Sequence, residues 1–69
     1  MTIKMNAVES GSIFKIGYRR RTLQVQFNSG RMYEFRKVPR ATYDQLLKAP
    51  SKGAFFNSEI KGSYAETEI

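Results

Sequence analysis

The chain has 69 residues, enough for one small domain and close to the lower size limit at which a hydrophobic core alone stabilises a fold. It contains no cysteine and no histidine, which excludes disulfides, thiolate chemistry and thiol-containing metal sites and removes the commonest residue of acid–base catalysis. Twelve lysines and arginines against six acidic residues give a formal net charge of +6 and a pI near 10.0, which indicates an acidic partner unless the charge only keeps the protein in solution.

Membrane attachment, secretion and catalysis are not predicted. The apolar runs are too short for a membrane span, and the first residues lack the apolar core of a secretion signal, so we expect a cytoplasmic protein. The acidic residues stand at no spacing typical of a catalytic or metal site, and we expect neither an enzyme nor a bound cofactor. The acidic residues considered for such a site include Glu9, Glu34, Asp44 and Glu59.

The first predicted strand follows a serine–glycine–serine break. Phe14, Ile16 and Tyr18 stand at alternate positions, which is the period of a strand with one apolar face. The same alternation places Ile13 on the opposite face of the strand.

The connection to the second strand carries Arg19, Arg20 and Arg21. The second strand alternates as the first does, with apolar residues at every other position from 23 to 27. A shift of one residue would turn all of these side chains to the wrong face, so the loop must hold an even number of residues. The predicted pairs are Tyr18 with Leu23, Ile16 with Val25, and Phe14 with Phe27.

Asn28-Ser29-Gly30 separates the second strand from a third and is typical of a three-residue hairpin loop. Such a loop is a type I turn followed by a left-handed residue, a conformation that Gly30 adopts without steric cost. Three antiparallel strands in meander order follow, with the large apolar side chains on one face. The predicted pairs across the loop are Phe27 with Arg31, Val25 with Tyr33, and Leu23 with Phe35.

Two short helices are predicted after the sheet. Val38-Pro39 ends the third strand because proline lacks a ladder donor, and Pro39 fits the first turn of a helix that Pro50 stops. Ser51 is typical of an N-cap for a second helix that closes at Gly62. The apolar residues at helical spacing are Tyr43, Leu46 and Leu47 in the first helix and Phe55, Phe56 and Ile60 in the second.

These elements predict an α+β fold, a three-stranded antiparallel β-meander with two short α-helices packed on one face. We expect an N-terminal arm at residues 1–7, a domain at 8–64 and a C-terminal tail at 65–69. A core of this size stabilises a fold only marginally, so we expect a monomer or a weak homodimer. The core is predicted to contain the helix residues above and Phe14, Ile16, Tyr18, Leu23, Val25, Phe27, Tyr33 and Phe35.

The predicted register gathers six cations at one end of the sheet. It brings the triple-arginine turn beside Arg36, Lys37 and Arg40, and fixed guanidinium groups of this kind match the geometry of phosphates. Lys52, at the start of the second helix, is a weaker candidate for the same role. The alternative is that the six charges are only solvated. We call this set the basic pole: Arg19, Arg20, Arg21, Arg36, Lys37 and Arg40.

The order of these motifs resembles the KTSC family, short domains that form the C-terminal extension of some lysyl-tRNA synthetases and also occur as stand-alone bacterial and phage proteins. Two positions depart from the family pattern: Phe35 replaces a second tyrosine after Tyr33, and Arg19 replaces an acidic residue. The matching residues are Val8-Glu9-Ser10, Ile13, Ile16-Gly17-Tyr18, Leu23-x-Val25-x-Phe27, Gly30, Tyr33-x-Phe35, Val38-Pro39, Tyr43, Leu46 and Ser51-Lys52-Gly53-x-Phe55-Phe56-Asn57.

The resemblance implies RNA binding, through the association of the family with the synthetase. Together with the basic pole it predicts a small non-enzymatic module that binds RNA or DNA. The alternative is a protein–protein interaction adaptor, bacterial or from a phage, that recognises an acidic protein. An aromatic surface that stacks on bases is not expected on the sheet, because the register points these rings toward the helices.

Overall fold

The three segments of alternating apolar residues form the centre of an antiparallel sheet. The computed structural model describes residues 5–8 and 11–69, so residues 1–4 of the predicted arm, and Glu9 and Ser10, lie outside the described residues. Within the described part the sheet has five strands in sequence order: β1 (Asn6–Ala7), β2 (Ile13–Arg19), β3 (Thr22–Phe27), β4 (Met32–Phe35) and β5 (Glu66–Glu68). The α+β class is confirmed, and the prediction of three strands is wrong.

The β3–β4 hairpin has the predicted register. Leu23 lies opposite Phe35 and Val25 opposite Tyr33. The loop is closed by the Phe27 amide, which donates to the Arg31 carbonyl at 2.9 Å, and by the Gly30 amide, which donates back to Phe27 at 2.9 Å. Gly30 has a φ of 97°, so the turn uses the backbone freedom that only glycine has at low cost.

The β2–β3 hairpin also satisfies the facing rule over most of its length. Tyr18 lies opposite Leu23 and Ile16 opposite Val25, as predicted. Arg19 pairs with Thr22, which leaves two residues in the turn, an even number. The apolar residues of both strands therefore share one face of the sheet.

A β-bulge at the start of β2 overturns the last predicted pair. The register shifts between Ile13 and Lys15, so Phe27 lies opposite Ile13 and not opposite Phe14. The extra residue turns Ile13 into the core, where it is 1% exposed, and leaves Phe14 46% exposed. The Lys15 ammonium lies 5.2 Å from the centroid of the Phe14 ring. The predicted orientations of Ile13 and Phe14 are both wrong, because strict alternation cannot continue through a bulge.

The two outer strands are held mainly by backbone pairing. β1 pairs with β2 through Asn6 and Ile16, and β5 pairs with β4, where Glu66 lies opposite Phe35 and Glu68 opposite Tyr33. All residues of both strands are exposed, so neither has the apolar pattern from which a strand is predicted. The segment 65–69, predicted as a trailing tail, is an edge of the sheet.

The first helix, α1 (Arg40–Lys48), begins directly after Pro39, as predicted. Tyr43 and Leu46 are buried, whereas Leu47 is 39% exposed, so its predicted place in the core is wrong. Consecutive residues of a helix point about 100° apart, and only one of Leu46 and Leu47 faces the sheet.

The second helix, α2 (Lys52–Phe55), continues without interruption into a π-helical segment, Phe56–Ile60. Ser51 is the N-cap, as predicted, and its hydroxyl accepts from the Ala54 amide at 3.3 Å. The Lys61 amide donates to Phe56 at 2.9 Å, across five residues, which is the bond of a π-turn.

The helices cover one face of the sheet, and the core lies between the two layers. The other face carries polar residues such as Gln24, which donates to Glu34 at 3.4 Å. Val38 belongs to the core although the alternation of the strands did not predict it, and Tyr18, Phe27, Tyr33 and Phe55 pack against the core only partly buried. The buried apolar residues are Ile13, Ile16, Leu23, Val25, Phe35, Val38, Tyr43, Leu46, Phe56 and Ile60.

Candidate nucleic-acid interface

The turn between β2 and β3 places two arginines in an unusual backbone conformation. Arg20 and Arg21 have φ values of 50° and 64°. Two successive residues with positive φ are the mark of a type I′ turn, which Asn-Gly forms most readily. A side chain beyond glycine costs roughly 1–2 kcal/mol at each such position. The chain therefore keeps two cations at this turn against the local preference of the backbone.

A hydrogen bond fixes the turn against the segment after β4. The Val38 amide donates to the Arg21 carbonyl at 2.8 Å. Lys37, just before it, has a φ of 61°. In the described part of the chain the non-glycine residues with positive φ are Arg20, Arg21 and Lys37, and all three belong to the basic pole.

A pair of stacked tyrosines connects the pole to α1. The rings of Tyr18 and Tyr43 are 4.8 Å apart between centroids and 14° from parallel. The Tyr18 hydroxyl donates to the Val38 carbonyl at 2.6 Å, beside the turn. The Arg40 guanidinium carbon lies 5.7 Å from the centroid of each ring, within the range of a cation–π interaction. Arg40 is thus held against the rings and close to the other cations of the pole.

Two members of the pole have carboxylate partners. Arg36 Nε lies 3.3 Å from Glu34 Oε2, and Arg40 Nε lies 3.2 Å from Asp44 Oδ1. Both arginine side chains remain largely exposed, at 68% and 72%. Exposed ion pairs of this kind contribute little to the free energy of folding, and salt screens them. Ion pairs with other described residues are absent for the remaining members, Arg19, Arg20, Arg21 and Lys37.

The six cations of the predicted pole lie at one end of the sheet. The register that pairs Leu23 with Phe35 puts Arg36 one step further, beside Thr22, and the Arg21–Val38 bond adds Lys37. Whether this surface binds nucleic acid stays a prediction.

Lys52 is not part of this group. Its ammonium donates to the Ala49 carbonyl at 3.4 Å. The next residue, Gly53, lies so close to Ser12 that a Cβ there would stand 2.7 Å from the Ser12 hydroxyl oxygen. Ser12 precedes β2, at the opposite end of that strand from Arg19.

A second feature, absent from the sequence analysis as a site, is a cleft between β5 and the π-helical segment. Its volume is about 180 Å³. Neighbouring rings in its wall meet nearly at right angles: Phe27 with Tyr33 at 5.8 Å and 74°, and Phe27 with Phe56 at 5.3 Å and 76°. We call it the aromatic cleft, and its lining residues are Phe27, Tyr33, Phe35, Phe56, Asn57, Lys61 and Glu66.

Arg31 lies near one wall of this cleft and away from the basic pole. A hydrogen bond to the Tyr33 side chain, and then the charge of Glu68, raise the pKa of the exposed Arg31 guanidinium above its ordinary value.

Two other kinds of site have no support in the described residues. Groups of three or more acidic residues that could hold a metal ion do not occur there. Neither does a helix that is long and apolar enough to cross a membrane.

The chain is similar to proteins of one family over most of its length. The family model of the KTSC domain matches residues 9–64. An uncharacterized protein of Stutzerimonas stutzeri is 36% identical over 61 residues, which are 86% of each chain. A lysine–tRNA ligase of Nostoc punctiforme is 43% identical over 51 residues, which are 74% of this chain but 9% of the ligase.

The fold agrees with a solved structure. The crystal structure of a KTSC domain protein from Yersinia pestis has a TM-score of 0.92 to this chain at 34% sequence identity. The similarity covers 99% of both chains.

Proposed function

The chain belongs to the KTSC domain family, and we propose that this member is a non-enzymatic module that binds RNA or DNA through the phosphates. The observation that carries the proposal is the basic pole. Its turn holds Arg20 and Arg21 at positive φ, where Asn-Gly would cost less, and both guanidinium groups lack a carboxylate partner among the described residues. Charges kept at a conformational cost and left unpaired suit a polyanionic ligand.

The proteins of similar sequence favour RNA over DNA as the ligand in this proposal. A segment of similar sequence belongs to a lysine–tRNA ligase, an enzyme that acts on tRNA by its name. The matching segment is 9% of that enzyme, so RNA as the ligand of this chain is part of the proposal. The same phosphate chemistry applies to DNA, and the binding test therefore includes both.

The test is a salt series with labelled single-stranded RNA, single-stranded DNA and duplexes, read by fluorescence anisotropy. Each phosphate contact on a single strand contributes about 0.7 to the slope of log affinity against log salt, so four contacts give about 3. The variant Arg20→Glu/Arg36→Glu is expected to weaken binding strongly for every sequence, because each change replaces a cation by an anion.

A charge-matched control separates the pole from net charge. The variant Lys15→Glu/Lys48→Glu changes the net charge by the same amount at residues outside the basic pole and away from Lys52, and we expect it to have a much smaller effect on affinity. Equal loss for both variants would mean that affinity follows total charge, and no binding at low salt would end the proposal.

The adaptor alternative is separated by purification from cells with and without nuclease. Loss of all partners after nuclease supports nucleic-acid binding. Retention of a single acidic protein through the nuclease step, lost in Arg20→Glu/Arg36→Glu, would assign the basic pole to a protein partner instead.

A further inference from the structure

The aromatic cleft has a wall that is already assembled without a ligand. Phe35 and Phe56 are nearly fully buried, and their rings meet at 5.4 Å and 75°. Phe27 and Tyr33 are only partly buried, so they add accessible ring surface to this fixed base. Since neighbouring rings are nearly perpendicular, the wall presents both ring faces and ring edges.

Three polar side chains stand in the lining of the same cleft. Asn57 offers an amide that both donates and accepts, Lys61 an ammonium that donates, and Glu66 a carboxylate that accepts. Hydrogen bonds or ion pairs from these three side chains to other described residues are absent. The cleft therefore combines an apolar wall with hydrogen-bond donors and acceptors that have no side-chain partner among the described residues.

The shape of the backbone explains why these groups meet. The π-turn that closes on Lys61 widens the helix at Phe56 and Asn57, and such turns recur at functional sites in other proteins. Glu66 comes from β5, where it lies opposite Phe35. A π-helical segment and an edge strand thus supply opposite sides of one opening.

We propose that the aromatic cleft binds one unpaired base of a single-stranded nucleic acid, an inference that rests on the proposed function. A base has a π-face for the rings and alternating donors and acceptors at its edge for the amide, ammonium and carboxylate. A volume of about 180 Å³ has room for one such ring system, whereas the bases of a duplex are stacked and paired.

The cleft and the basic pole are connected through β4. Phe35 lines the cleft and Arg36, the next residue, belongs to the pole. Successive side chains of a strand point to opposite faces, so Arg36 lies with its partner Glu34 on the polar face of the sheet. Arg40, at the start of α1, lies on the face that the helices cover, as the cleft does. A single strand with a base in the cleft would therefore meet Arg40 on the same face and would have to pass the end of the sheet to reach Arg36.

The test compares an eight-nucleotide single strand with the same strand carrying abasic sites and with its duplex. We expect the intact single strand to bind about tenfold more tightly than the abasic strand. Asn57→Ala is expected to lower affinity for the intact strand about fivefold and to leave affinity for the duplex and the salt slope unchanged. Ser58→Ala, one residue further along the same segment and outside the cleft, is the matched control and is expected to change neither.

Glu66→Gln and Glu59→Gln form a second matched pair, because both remove one negative charge and only Glu66 lines the cleft. A gain in affinity of the same size for both is an effect of charge. We expect Glu66→Gln to change the ranking of oligonucleotides that differ in one base, and Glu59→Gln to preserve that ranking. Identical rankings in both variants would contradict the proposal.

Nucleosides, which carry no phosphate, test the cleft independently of the pole. We expect adenosine or uridine to shift the NMR signals of Asn57 and Lys61. Salt-dependent oligonucleotide binding without a preference for the intact strand and without nucleoside shifts would overturn the cleft and leave the proposed function standing. Shifts caused by a tyrosine-containing peptide and not by nucleosides would likewise overturn it. Failure of all oligonucleotides to bind at low salt would instead overturn the proposed function.

Discussion

The two turns at the ends of β3 both require residues with positive φ, and they use different residues at those positions. The loop at residues 28–30 reaches positive φ with Gly30, at 97°, and has the composition expected of a hairpin. The turn before β3 reaches positive φ with Arg20 and Arg21, at 50° and 64°, and contains no glycine. One turn follows the preference of the backbone, and the other opposes it to present charge. The comparison teaches that the composition of a turn does not by itself predict where positive φ occurs, and it is the strained arginine turn, more than the net charge, on which the proposed function rests.

The largest expected effect on the free energy of unfolding comes from the end of the sheet where the glycine turn lies. The Asn28 amide donates to the Ser12 carbonyl at 2.8 Å, so this turn is joined to the bulged start of β2. Ile13→Ala should lower the free energy of unfolding by about 2–5 kcal/mol, because it opens a cavity in the core. Phe14→Ala, at an exposed neighbour, should stay within about 0.5 kcal/mol of the parent protein.

Urea unfolding followed by circular dichroism measures both changes. If Ile13→Ala does not fold, Ile13→Val, with an expected loss of about 0.5–1.5 kcal/mol, replaces it. A larger loss for Phe14→Ala than for either Ile13 variant would mean that β2 has no bulge.

The next effect tests the glycine turn directly. An added Cβ at Gly30 meets no atom within 4 Å, so Gly30→Ala changes only the backbone preference. We expect the free energy of unfolding to fall by about 1–2 kcal/mol, with unchanged affinity for single-stranded RNA. A loss of affinity beyond that explained by unfolded protein would remove the functional distinction between the two turns.

The arginine turn should respond in the opposite direction. Arg20→Asn/Arg21→Gly gives the turn the Asn-Gly pair that a type I′ turn prefers. We expect the free energy of unfolding to rise by about 1 kcal/mol. The same variant should lower the slope of log affinity against log salt by about 1.4, since two phosphate contacts of about 0.7 each are lost. A variant that is no more stable, or that binds as the parent does, would contradict the trade between stability and binding at this turn.

The parts of the fold that sequence predicts are those that depend on neighbours in the chain. The β3–β4 register follows from a three-residue loop, and the position of Arg36 and Lys37 beside the arginine turn follows from that register. The bulge at Ile13 could not be predicted, because one extra residue breaks the alternation without any change in composition.

The aromatic cleft could not be predicted from the sequence for a different reason. Its lining extends from Phe27 to Glu66, so it exists only once β5 is placed against β4. Glu66–Glu68 is fully exposed and polar, and backbone pairing leaves no periodic signal in such a segment. A site formed by distant segments therefore requires the tertiary structure, whereas a site formed by one register does not.

The smallest expected effect sharpens the comparison at the edge of the arginine turn, where Arg40 has the exposed partner Asp44. Asp44→Asn removes that partner and keeps the size of the side chain. The unfolding free energy should change by no more than about 0.5 kcal/mol, because pairs at this spacing on a helix surface contribute little. Affinity for single-stranded RNA should rise, and more at low salt than at high salt, because the released guanidinium adds to the charge of the pole. The same change at Glu59, as Glu59→Gln, is the control for net charge away from the pole. An equal rise in both variants would show that Arg40 contributes through total charge and not through its place over the stacked tyrosines.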